Sequence, residues 1–160
     1  MRKLFPLFLL LFANTTLWAY DFRVGDLCYN ITSQTAPYTV EVANEIGKVA
    51  SNNYPNLTTA NIPSFVVHND PTYVVTGIGD YAFWECETLA SLTIPESVTY
   101  IGKYALASCN CESLISVVIP NSVTSIGEGA FHGCIYLTSI NIPNGITRIE
   151  PHTFALCIAI

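Results

Sequence analysis

One run of residues is written repeatedly, and that repetition constrains the chain more than any other feature. Ile-Gly pairs open at Ile78, Ile101 and Ile126, and Ile149-Glu150 takes the same place, at spacings of 23, 25 and 23 residues. Ile94-Pro95, Ile119-Pro120 and Ile142-Pro143 keep the same period, as do Val98, Val123 and Ile146, and then Ala105-Leu106, Ala130-Phe131 and Thr153-Phe154. A fixed period between about 20 and 50 residues marks stacked supersecondary units, each burying its apolar face against the next. Within each unit Leu89, Leu114 and Leu137 lead. Leu92, Val117 and Ile140 follow three residues later, and Ile94, Ile119 and Ile142 two after that. This spacing reads as a turn entering a short strand. Proline then ends the strand, because it has no N–H to give the ladder. The glycine after isoleucine is expected to supply a positive φ at a corner. Stacking places like residues about 4.8 Å apart, so each position becomes a ladder. The fold class that follows is a β-rich solenoid of ~23-residue coils.

A chain of 160 residues with 51% apolar content suits one domain with a sizeable core. Met1-Arg2-Lys3 followed by the nine apolar residues Leu4 to Phe12 has the zones of a secretory signal, with Ala19 suited to cleavage. Nine residues are too few to cross a hydrocarbon layer of about 30 Å, so no membrane span is expected there or after it. Removing Arg2 and Lys3 takes the formal charge from -6 to -8. Such an acidic chain with scattered cations has no footprint for nucleic acid or for an anionic membrane.

Residues 1–19 are therefore read as the signal and 20–61 as a β-rich N-terminal cap. The solenoid covers 62–160. In the cap, Phe22, Val24, Leu27, Tyr29 and Ile31 alternate about Gly25-Asp26 as a hairpin, and Thr39 to Val42 forms a third short strand. Val49 to Ala60 is rich in Asn, Ser and Thr and reads as loop. Ile62-Pro63 opens a divergent first coil. The chain stops at Ile160, the position Leu89, Leu114 and Leu137 hold earlier, which reads as a solenoid cut short with an open edge.

Cys86, Cys134 and Cys157 share one ladder position, with Cys109 or Cys111 as its fourth member. Disulfides fit a secreted chain, but ladder neighbours have parallel Cα–Cβ vectors where a disulfide needs convergent ones. The favoured reading is a structural ladder of buried free thiols, Cys86, Cys109, Cys134 and Cys157, with a zinc site unsupported by the spacing. His68, His132 and His152 lie in no catalytic motif. There is no nucleophile elbow, phosphate loop or Ca²⁺ loop, so neither an enzyme nor a cofactor or metal is expected.

The runs GIGDYAFWECETLASLTIPESVTYIG and SVTSIGEGAFHGCIYLTSINIPNGITRIEPHTF resemble the BspA-like leucine-rich repeats of bacterial surface proteins. The resemblance implies secretion or surface display in Bacteroidota-like bacteria, and adhesin-like binding to host matrix proteins, cell-surface proteins or other cells. Leu106 in place of Phe, Glu150 in place of Gly and a two-residue insertion depart from the pattern at positions that shape the coil.

The contact residues are expected where the repeats vary. On the strand these are Thr93, Val118 and Asn141, with Ala90, Ile115 and Thr138 in the adjoining turn. Trp84, Tyr100, His132 and Tyr136 are further candidates, since exposed aromatics often anchor interfaces. The alternatives are a structural spacer or assembly unit that self-associates through its open C-terminal coil, or an appended domain of a secreted enzyme.

Overall fold

The computed structural model of the chain describes residues 20–45, 54–108 and 113–160. The stretch 1–19 read as a signal and the Cys109–Cys111 pair lie outside these residues. Among the described residues there is no helix; short strands and tight turns make the whole fold. The chain begins with β1 (Phe22–Val24), β2 (Leu27–Ser33) and β3 (Thr39–Ala43), an antiparallel meander. The hairpin read from the alternation is present, with Val24 opposite Leu27 across Gly25-Asp26.

β4 (Thr59–Asn61), β5 (Phe65–Val67) and β6 (Thr72–Ile78) follow. β4 corrects one expectation, since Thr59 and Ala60 fall in the stretch read as loop. Its polar composition conceals the strand because only Ala60 points inward. The coils then contribute β7 (Ser91–Thr93), β8 (Tyr100–Ile101), β9 (Ser116–Val117), β10 (Ser125–Ile126) and β11 (Ser139–Ile140).

Each coil has three sides. Side one carries β4, β7, β9 and β11. Side two is the parallel run β3-β6-β8-β10, so the cap meander and the solenoid share one sheet. The edge of the first coil is thus paired with the cap. Tyr54 fastens the same junction: its buried hydroxyl donates to the Ala43 carbonyl at 2.5 Å and accepts from the Cys28 N–H at 3.0 Å.

Side three is a ladder of turns. Tyr81, Phe83 and Glu85 donate their N–H groups to the carbonyls of Lys103, Ala105 and Ala107, at 2.9, 2.7 and 3.0 Å. Tyr104, Leu106 and Ser108 do the same toward Glu128, Ala130 and His132, and Gly129, Phe131 and Gly133 toward Pro151, Thr153 and Ala155. The intervening N–H groups close turns within the coil, as Trp84 does onto Tyr81 and Cys86 onto Phe83. This alternation demands left-handed backbone at two places per coil. Tyr81, Tyr104, Gly129 and His152 hold the first and Glu85, Ser108, Gly133 and Leu156 the second, all with positive φ. Non-glycine residues in that region carry a cost of about 1–2 kcal/mol, which the inter-coil bonds offset.

The glycines after isoleucine do something else. A Cβ on Gly102 would come within 2.6 Å of the Asp80 nitrogen, and one on Gly127 within 2.7 Å of the Lys103 nitrogen. They permit close approach of coils, not the positive φ expected of them. Glu150 stands at this position in the last coil, where among the described residues no strand pairs beyond β10.

Inside, the ladders pack as the period demands. Leu89, Leu114 and Leu137, Val98 and Val123, Ile101 and Ile126, and Phe83, Leu106 and Phe131 are all buried in one continuous core.

Candidate interaction face

The six strand-face candidates all lie exposed on side one, but they do different work. The Thr93 hydroxyl donates to Asn61 Oδ1 at 3.1 Å, and the Thr138 hydroxyl donates to the Ile115 carbonyl at 3.0 Å. Asn141 makes a two-point clamp on the preceding coil. Its Oδ1 accepts from the Ile119 N–H and its Nδ2 donates to the Ile119 carbonyl, both at 2.7 Å. Ile115 and Val118 make no such bond and stand out at 57% and 74% exposure. With Ala90 they give this face an apolar strip. Uncommitted aliphatic surface flanked by hydroxyls and carboxamides is suited to a protein partner.

The aromatic candidates fall elsewhere. Trp84 and His132 belong to side three, where Tyr81 stacks on Tyr104 at 5.6 Å between ring centroids. Trp84 meets both tyrosines edge-on, and His132 meets Tyr104 at 6.4 Å. Tyr81 and Tyr104 were not among the sequence candidates, although Asp80-Tyr81 and Lys103-Tyr104 stand in one ladder position and could have been found by aligning coils. All four rings are half-buried against one another, so they form a packed stripe.

Tyr100 turns inward. Its hydroxyl donates to Glu41 Oε2 at 2.7 Å, and its ring lies over Gly77, whose place a Cβ could not share. Burial, then the Glu41 carboxylate, holds this phenol above its ordinary range. Tyr136 is exposed on the turn before Leu137.

Cys28, Cys86 and Cys134 are buried and Cys157 is half-buried. Each of the three ladder thiols donates to a carbonyl of the preceding coil: Cys86 to Tyr54 at 3.8 Å, Cys134 to Leu106 at 3.2 Å and Cys157 to Phe131 at 3.0 Å. No cluster of three metal-ligating side chains occurs among the described residues. No helix among them is long and apolar enough to cross a membrane.

Residues 45–160 match the BspA type Leucine rich repeat region, in six copies. The chain belongs to this family. Among solved structures, this BspA-type solenoid is similar to a leucine-rich repeat protein from Bacteroides capillosus ATCC 29799, at 32% identity and a TM-score of 0.64, over 79% of this chain and 85% of that one. It is also similar to a leucine rich cell surface protein from Faecalibacterium prausnitzii A2-165, at 27% identity and a TM-score of 0.60. That match covers 85% of this chain and 40% of the other, so the chain spans well under half of that protein. A leucine-rich repeat protein from Bacteroides ovatus ATCC 8483 matches over 86% of this chain and 45% of its own, at 23% identity and a TM-score of 0.47. No curated protein matches the chain.

Proposed function

We infer that this chain is a non-catalytic protein-binding module, secreted or held at a cell surface, which meets its partner through side one. The observation that carries the reading is the apolar strip of Ile115 and Val118, left uncommitted on a face whose polar variable residues, Thr93, Thr138 and Asn141, bond between coils. The basic and apolar zones of residues 1–19 support export. The similarity to a cell surface protein points the same way. The partner class is an extracellular protein, of a host matrix or of another cell. The test immobilises a panel of extracellular-matrix and plasma proteins and measures binding of the wild type and of an Ile115→Asp, Val118→Asp double variant. Saturable binding that the variant loses supports the reading. Binding by neither protein, or equal binding by both, sinks it.

A second reading, an assembly or spacer unit, is favoured by the last coil. Ile142 is 44% and Ile149 48% exposed, where their ladder neighbours Ile119 and Ile126 are 1% and 2%. The N–H groups of His152, Phe154 and Leu156, counterparts of Gly129, Phe131 and Gly133, carry no backbone bond among the described residues. Light scattering across concentration tests it. Growth in mass that Ile142→Ser with Ile149→Ser suppresses supports assembly, and a constant monomer mass removes it.

A further inference from the structure

The first coil makes a detour that the later ones lack. Ile62 to Ile78 spans 16 positions, where Ile94 to Ile101 spans 7. The difference is the hairpin of β5 and β6, antiparallel, with Phe65 opposite Val74, Val66 opposite Tyr73 and Val67 opposite Thr72. β3 holds the other edge of β6, where the Val74 N–H donates to the Tyr38 carbonyl at 2.9 Å. β8 joins β6 only from Gly77 onward. β5 therefore stands beside the stacked coils and not between two of them.

In an antiparallel ladder alternate residues turn their N–H and C=O groups to opposite neighbours. The Val75 N–H donates to the Ser64 carbonyl at 2.9 Å, so Ser64 and Val66 face β6. Phe65 and Val67 turn theirs to the outer edge, where no strand among the described residues pairs with β5. Their side chains share the outer face of the sheet, Phe65 at 64% and Val67 at 65% exposure, while Val66 between them is buried. Half-buried Val74 lies opposite Phe65 on that face. An unpaired edge beside large apolar side chains is a template for another strand, and proteins ordinarily blunt such edges with charge. Asn61 to Val67 carries no charged residue. Aligning the coils could not have found this pair, because the hairpin has no counterpart in the later repeats.

We propose that β5 pairs antiparallel with β5 of a second copy of this chain, about a two-fold axis at Val66, and so joins two cap sheets into one. The occupant is a second copy because the edge is complementary to itself. An axis at Val66 sets Phe65 against Val67 of the second copy, and Val67 against its Phe65. All of these residues turn their main-chain groups outward, so each pair exchanges both its N–H···O bonds. The same pairing lays phenylalanine against valine twice on the outer face, an aromatic–β-branched cross-strand contact. A slip of one residue would set outward groups against Ser64 or Val66, whose own groups β6 already takes. A chain of formal charge -6 repels its copies over most of its surface, and the uncharged β5 edge is a place where two can meet. The inference does not depend on side one or on the last coil, neither of which contains β5.

Sedimentation equilibrium of the full chain across concentration, followed in parallel by amide chemical shifts, tests the pairing. The mass should rise from that of a monomer to that of a dimer and stop, with concentration-dependent shifts centred on Phe65, Val66 and Val67. Phe65→Lys with Val67→Lys sets like charges opposite each other across the axis, at exposed positions, and should weaken the dimer at least tenfold. Phe65→Glu with Val67→Glu should do the same. An equimolar mixture of these two variants should recover the dimer, because every cross-strand pair then joins lysine to glutamate, and the recovery shows that both are folded. Ile142→Ser with Ile149→Ser should leave the dimer unchanged. A constant monomer mass overturns the proposal. So does growth that Ile142→Ser with Ile149→Ser suppresses, since assembly then runs through the last coil. A dimer that neither charged variant weakens, or two weakened variants whose mixture stays monomeric, overturns it as well.

Discussion

Replacing Gly127 by alanine should be far more costly than replacing Gly133, although Gly133 is the one with left-handed backbone. A Cβ at Gly127 lies 2.7 Å from the Lys103 nitrogen and 2.8 Å from the Gly102 carbonyl carbon, both main-chain atoms that cannot swing aside. Ordinary contact begins near 3.4 Å, so the third coil must retreat by roughly 0.7 Å from the second on side two. The Gly127 N–H to Ile101 carbonyl bond, now 2.9 Å, then stretches to about 3.6 Å and is lost. One or two ladder bonds at about 1 kcal/mol each, together with overpacking of about 1–3 kcal/mol, give a loss of about 3 kcal/mol. At Gly133 the nearest atom to an added Cβ is 3.6 Å away and only the φ of +72° is strained, a loss of about 1 kcal/mol. With a urea slope near 2 kcal/mol/M, the midpoints fall by about 1.5 M and 0.5 M respectively. Urea unfolding followed by far-UV circular dichroism reads the difference. Equal losses, or a greater one at Gly133, would refute the claim that these glycines serve coil contact.

Two further expectations concern side chains that the coils hold in place. Hydrogen bonding with the Cys134 side chain lowers the half-buried Cys157 thiol to about 7, whereas burial pushes Cys28 up. Iodoacetamide labelling mapped by mass spectrometry should therefore mark Cys157 before Cys28, Cys86 and Cys134, with a rate that rises through pH 7 and then levels. Uniform protection of all four is the contrary result. Tyr100→Phe keeps the ring over Gly77 and removes the hydroxyl on Glu41, so it should cost about 1 kcal/mol in the same urea assay. Tyr100→Ala should cost about twice that, through lost packing. If the two variants are equally unstable, the hydroxyl bridge and not the ring joins the cap to the solenoid.

The ladders were legible in the chain because burial imposes a period. Leu89, Leu92 and Ile94 recur as Leu114, Val117 and Ile119, and each set must face the core that the next set extends. The cap hairpin was legible for a related reason, since Phe22 to Ile31 alternate about a two-residue turn. What the sequence could not settle depends on distances between residues some 23 positions apart. β4 became a strand because β7 lies beside it, not because Thr59, Ala60 and Asn61 favour one. Gly102 and Gly127 look like corner residues until the neighbouring coil is seen to occupy the space a Cβ would need. The positive φ values instead fall on Tyr81, Glu85, Tyr104 and Ser108, which local preference would not choose and inter-coil hydrogen bonds require. The interaction face divides in the same way. Repeat-to-repeat variation locates Thr93, Val118 and Asn141, but only the stacked coils separate Asn141, which clamps Ile119, from Val118, which stands out at 74% exposure. Sequence period determines which residues face inward, because burial acts on every coil alike. The tertiary structure alone decides where the ladder closes and where it parts, because a hydrogen bond between coils forms or fails over a few tenths of an ångström.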